Sequence, residues 1–96
     1  MARNDKLRVF CYDISCDRRR RRVARILEDA ASRVQFSVFE SRMNKAKMEK
    51  LCARIEPILD EGDSLRIYTI GKTGERQCQA KGATTPIERE ANYWLF

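Results

Sequence analysis

The apolar pattern of this chain switches repeatedly between a period of two and a period near 3.6, and that narrows the fold more than any other feature. Residues 7–14, LRVFCYDI, alternate, with Leu7, Val9, Cys11 and Asp13 on one face and Arg8, Phe10, Tyr12 and Ile14 on the other. The segment is β-branched and aromatic, and is expected to form a strand covered on both sides. Val23, Ile26, Leu27 and Ala30 then recur at helical spacing, with Asp17 as the expected N-cap and the helix running to Ala31. RVQFSVFES (33–41) alternates again as a second strand. Its Val34, Phe36 and Val38 share the face expected to meet the helices, and its Gln35, Ser37 and Phe39 share the other.

Asn44 is the expected cap of a second helix carrying Met48, Leu51, Cys52, Ile55 and Leu59, its last turns shortened by Pro57. DSLRIYTI (63–70) is a third clear strand, GKTG (71–74) a turn, and ERQCQAKG (75–82) a weaker strand. A short strand is required near Ser41–Met43 to complete the order βαββαβ. Two helices on one face of an antiparallel sheet make an α+β, ferredoxin-like sandwich, here with an additional C-terminal strand. The second sheet face, expected to carry Asp13, Gln35, Ser37 and Phe39, is too apolar to stay wet. A homodimer pairing the sheet faces is therefore expected. Residues 1–82 form the domain, and 83–96, ending in Tyr93, Trp94, Leu95 and Phe96, form a tail expected to dock on a partner subunit.

With 96 residues the chain has room for one core, and its 43% hydrophobic and 35% charged content suits a soluble fold. No apolar run reaches the roughly twenty residues that span a bilayer, and the N-terminus has no apolar signal region, so a cytoplasmic location without membrane contact is expected. The four cysteines are widely spaced and there is no histidine. That argues against a zinc site and excludes histidine-based general-base or triad catalysis.

The net charge of +6 is uneven: residues 1–42 hold 11 Lys and Arg against 6 Asp and Glu, and residues 43–96 hold 9 against 8. Five consecutive arginines, Arg18, Arg19, Arg20, Arg21 and Arg22, sit where the first helix begins, with Arg25 one turn on. Cations there oppose the helix dipole by about 0.3–1 kcal/mol each and repel one another. Stability of the free chain does not explain them. A phosphate does: the first turn's unpaired N–H groups favour an anion, and guanidinium forks match phosphate oxygens. All six arginines are nucleic-acid-binding candidates.

Asp13, ending the first strand, is alone a weak sign of chemistry, because a carboxylate there also serves a turn. One carboxylate cannot hold magnesium, but a two-fold dimer brings two copies together. YDISCDRRRRRVARILE, RVQFSVFES and DSLRIYTI together resemble the CRISPR-associated protein 2 family across residues 7–70. The resemblance implies a ferredoxin-like homodimer with Asp13 as metal ligand for Mg2+ (or Mn2+) and Tyr12 as its neighbour. It places Arg20 and Arg22 at the basic helix start, and Arg33, Ser37 and Phe39 on the second strand beside the site.

It also implies magnesium-dependent endonuclease cleavage of RNA or DNA, and a role in CRISPR spacer acquisition as the dimer bridging the integrase, CRISPR-associated protein 1. The alternative is a non-catalytic DNA-binding scaffold using the same arginines. An RNA-recognition module would share the topology, but its Gly-aromatic strand signature is absent. The family's usual glycine after the first helix is replaced here by DAAS, which requires a different stop.

Overall fold

The computed structural model describes residues 5–87. The elements are β1 (Lys6–Asp13), α1 (Asp17–Glu28), β2 (Ser32–Gln35), β3 (Val38–Met43), α2 (Lys45–Ile55), β4 (Ser64–Ile70) and α3 (Lys72–Gln77), with one 3-10 turn at Glu56–Ile58. The four strands form one antiparallel sheet in the order β2-β3-β1-β4. This is the ferredoxin-like α+β arrangement expected from the pattern. Among the described residues no helix is long and apolar enough to cross a membrane.

Pairing partners across β1 define the two faces. Phe10 lies between Phe39 and Ile67, while Cys11 lies between Val38 and Arg66. The first row faces the helices: Phe10, Phe39, Val23, Leu27 and Ile55 are fully buried there. The second row belongs to the far face, where Val9, Cys11 and Val38 are half-buried and Asp13 is exposed. Near the start of β1, α3 comes over that far face. Its Glu75 pairs with Arg42, whose neighbour across the sheet, Leu7, is 1% exposed.

Several expectations change. The segment 33–41 is not one strand but a hairpin, β2 and β3, joined at Phe36 and Ser37. A bulge between Arg33 and Gln35 adds a residue to β2. The break resets the alternation, so Phe39 lies on the helix side at 0% exposure and Phe36 stands out at 70%. The short strand needed near Ser41–Met43 is the end of β3. The additional C-terminal strand is replaced by α3 and by residues 78–87 without regular structure. The Tyr93–Phe96 tail lies outside the described residues.

Helix ends follow local chemistry. Cys16, not Asp17, is the N-cap of α1, and Asp17 sits in the first turn, where its charge suits the dipole. With no glycine available, α1 stops by tightening: the N–H groups of Ala30 and Ala31 both donate to the Leu27 carbonyl, at 3.0 and 2.8 Å. Asn44 caps α2 as expected, its side chain accepting from the Lys47 N–H at 2.8 Å. At Glu56 the α-helix passes into the 3-10 turn Glu56–Ile58, where Pro57, at its start, lacks an N–H only at a position that needs none.

The face exchange is measurable. Phe39→Ala is expected to cost about 3–5 kcal/mol in urea unfolding, and Phe36→Ala about 1 kcal/mol or less. Equal losses would contradict the hairpin.

Candidate nucleic-acid interface

The arginines of α1 are sorted by where the helix turns them. Arg18, Arg21, Arg22 and Arg25 are exposed, and Arg19 and Arg20 are half-buried. Arg19 is fixed: its Nε donates to Asp63 Oδ2 at 2.8 Å, with Asp60 at 3.7 Å. The Asp63 side chain is 1% exposed, in a turn where its Oδ2 also accepts the Asp60 N–H at 2.9 Å. Gly62 closes that turn with φ of +86°, which other residues rarely adopt. The Arg19 guanidinium, more than the Asp60 N–H, holds the Asp63 carboxyl below the usual carboxylate range, against the effect of burial. This ion pair ties the first turn of α1 to the approach to β4.

Arg20 turns the other way. It donates to the Ile14 carbonyl at 2.8 Å and the Ser15 carbonyl at 3.3 Å, pairs with Asp17, and lies 5.7 Å from the centre of the Phe36 ring. Arg33 reaches the same ring from β2 at 5.6 Å, and the Phe39 ring at 5.2 Å. Its Nε donates to the Phe36 carbonyl at 3.2 Å, and its other nitrogens reach Glu28 and the Tyr12 hydroxyl, each at 3.4 Å. The Tyr12 hydroxyl donates to the Phe36 carbonyl at 3.3 Å, and the Tyr12 N–H donates to the Ser37 carbonyl at 3.1 Å. The hairpin tip is thereby bound to β1.

Arg20, Arg21, Arg25, Arg33, Glu28 and Phe36 border an open groove of about 300 Å³ between α1 and the β2-β3 hairpin. A second groove of about 270 Å³ lies on the α2 side of the helix, bordered by Arg22, Arg25 and Arg54 among others. Arg25 borders both, so basic side chains cross the width of α1. The Cys16 thiol at the helix start is held below its ordinary value, mainly by the N–H groups of Arg19 and Arg18. This end of α1 therefore favours negative charge.

The sequence-predicted residues fall in three places. Tyr12, Arg20, Arg33, Ser37 and Phe39 gather around the hairpin tip, with the Tyr12 and Phe39 rings stacked at 6.3 Å. Arg22 lies across the helix in the second groove. Asp13, one residue after Tyr12, points to the far face, opposite Ser64. Asp13 makes no ion pair among the described residues, where no group of three or more His, Cys, Asp or Glu side chains is placed to hold a metal ion. Sequence reasoning missed Phe36, which alternation turned inward, and Asp63, whose partner lies 44 positions away. The signal for Phe36 was available: Phe36 and Phe39, three apart, would occupy opposite faces of one continuous strand.

Fold and site define a ferredoxin-like α+β domain whose first helix opens in a fan of arginines beside an aromatic hairpin tip. The family model for CRISPR associated protein Cas2 matches residues 6–78, and the chain belongs to that family. A Synechocystis protein named CRISPR-associated endoribonuclease Cas2 3 is 46% identical over 65 residues, covering 67% of this chain and 71% of its own length. Cas2 from Streptococcus pyogenes, solved at pH 6.5, superposes with a TM-score of 0.67 at 33% identity, covering 79% of this chain and 99% of its own. A chain of a partial Cas6-RT-Cas1–Cas2 complex gives a TM-score of 0.70 at 28% identity, covering 88% and 93%.

The Arg19–Asp63 pair carries a pH signature. A carboxyl held low in the folded state stabilises it fully above the unfolded value, about 4, and that stabilisation is lost as pH falls through the folded value. Asp63→Asn is expected to lower the melting temperature at neutral pH, with the gap to wild type closing as the buffer is acidified below about pH 4. A gap independent of pH would show that the pair contributes nothing.

Proposed function

We propose that this chain is a dimeric nucleic-acid-binding nuclease of CRISPR spacer acquisition. It holds phosphodiester backbones through the arginines of α1 and cleaves them with a divalent metal at Asp13. The observation that carries the reading is the band of exposed arginines at a helix start that favours anions. The naming of relatives as CRISPR-associated endoribonucleases supports the chemistry. The likeness to a chain of a Cas1–Cas2 complex supports partnership with that integrase. In this reading the dimer joins copies of the integrase and residues 83–96 dock on it.

Asp13 fits a metal as half a site. Its carboxylate is exposed, lies at a strand end and is free of ion pairs among the described residues, and its oxygens suit a hard cation. A second copy, packed on the half-buried Val9, Cys11 and Val38 of the far face, supplies the other carboxylate. Bound there, Mg2+ or Mn2+ would polarise a phosphate oxygen or acidify a water. The chain's own residues do the rest. Arg21, Arg22 and Arg25 neutralise backbone charge, while Tyr12 and Arg33 fix the hairpin. Binding is then mainly electrostatic and weakly dependent on sequence.

A second reading, a non-catalytic scaffold, is favoured by one observation. Asp13 and the Arg20–Arg33–Phe36 groove stand on opposite faces of the sheet. Asp13→Asn separates the readings. The nuclease reading expects metal-dependent cleavage of labelled RNA or DNA to vanish while affinity is unchanged. Cleavage that persists in the variant removes Asp13 from the chemistry and contradicts both readings as stated; cleavage absent from wild type at every metal concentration leaves the scaffold. Replacing Arg21, Arg22 and Arg25 with Gln is expected to reduce the salt slope of binding by about one for each phosphate no longer neutralised.

A further inference from the structure

An aromatic side chain at 70% exposure on a small domain needs a reason, and Phe36 is held out by several interactions. Its carbonyl accepts from both Tyr12 and Arg33, and the next carbonyl, that of Ser37, accepts from the β1 backbone. The guanidinium carbons of Arg20 and Arg33 lie over the ring at 5.7 and 5.6 Å from its centre, and the residue is still 70% exposed. The result is an exposed aromatic flanked by guanidinium groups, on the border of a groove that also holds Arg21 and Arg25. At about 300 Å³ the groove is at the lower end of the range of small-ligand clefts.

We propose that Phe36 is a stacking platform for one unpaired base, and that this makes the groove a site for single-stranded nucleic acid. The inference rests on the nucleic-acid-binding reading above and names the side chain that receives a base. An exposed ring offers a π face that any base can use, guanidinium planes extend that surface, and neighbouring cations take the adjoining phosphates. Glu28 restricts the arrangement by pairing with Arg33, which leaves Arg21 and Arg25 to meet the backbone. A duplex keeps its bases paired and stacked inward. Away from its ends it can satisfy the arginines but not the ring, so Phe36 distinguishes the two strand types.

The test compares intact wild-type protein with Phe36→Ala, Phe36→Leu and Phe36→Tyr, using fluorescent oligothymidylate, oligouridylate and a blunt duplex of equal length. Stacking of one base on an aromatic predicts that the Ala and Leu variants lose about 5- to 150-fold in affinity for the single strands. Duplex affinity should be unchanged, and the Tyr variant should behave as wild type. The loss should be the same factor at low and high salt, because stacking releases no counterions. Thymidylate and uridylate losing equally identifies the site as indifferent to sugar; loss with only one identifies the strand it serves.

The Leu variant retains apolar bulk in the turn, so a folding defect in the Ala variant does not decide the matter. Unchanged single-strand affinity, or equal losses for single strands and duplex, would overturn the platform while leaving the binding function intact. Wild-type protein that binds none of the three probes in dilute salt would overturn the function itself, and the platform with it.

Discussion

The start of an α-helix carries partial positive charge, and this chain adds five guanidinium groups to it. Everything distinctive about the site follows from how that repulsion is handled. Arg19 is neutralised by Asp63 and Arg20 by Asp17 and the Ile14 and Ser15 carbonyls. These two lie on the buried side of the helix, where unpaired charge would be costly. Arg18, Arg21, Arg22 and Arg25 remain in water, where screening makes their repulsion tolerable. The fold thus compensates the charges it must cover and leaves exposed those that face outward.

The sheet then separates two kinds of chemistry. Successive residues of a strand point to opposite sides, so Tyr12 and Asp13 serve different faces although they are neighbours in sequence. Tyr12 supports the hairpin, which sets Arg33 and Phe36 beside the arginine helix. Asp13 is delivered to the far side, which it shares with Val9, Cys11 and Val38, the surface proposed above for a second copy. In a dimer paired through those faces, polyanion contacts would lie on the outside of the assembly and carboxylates on the inside.

Sequence periodicity revealed most of this architecture. β1, α2, most of β4 and the second half of α1 carry spacing that types each element, and Asn44 and Pro57 mark the ends of α2 by local chemistry. The hairpin was hidden because its turn, Phe36-Ser37, contains no glycine, proline or asparagine and adopts no positive φ. Its hydrogen bonds come instead from Tyr12 and Arg33, and interactions between distant segments leave no mark on a local pattern. The same limit hid Asp63. For α3, GKTG resembles a turn, and the helix that forms instead is anchored by the Glu75–Arg42 pair, which joins segments far apart in the chain. The arginine run and the strand-end aspartate were legible in sequence. Their placement on opposite faces became clear only once the pairing register was known.

The claim beneath this account is that the exposed arginines serve a polyanion at some expense to the free protein. The most direct measurement is the unfolding free energy, in low salt and without nucleic acid, of a variant with Arg18, Arg21 and Arg22 replaced by glutamine. Relief of dipole and mutual repulsion predicts a variant as stable as wild type or more so, by up to about 1 kcal/mol per site. A loss of about 1 kcal/mol or more on the same scale would mean that these side chains hold the fold together, and that no bound anion is needed to explain them.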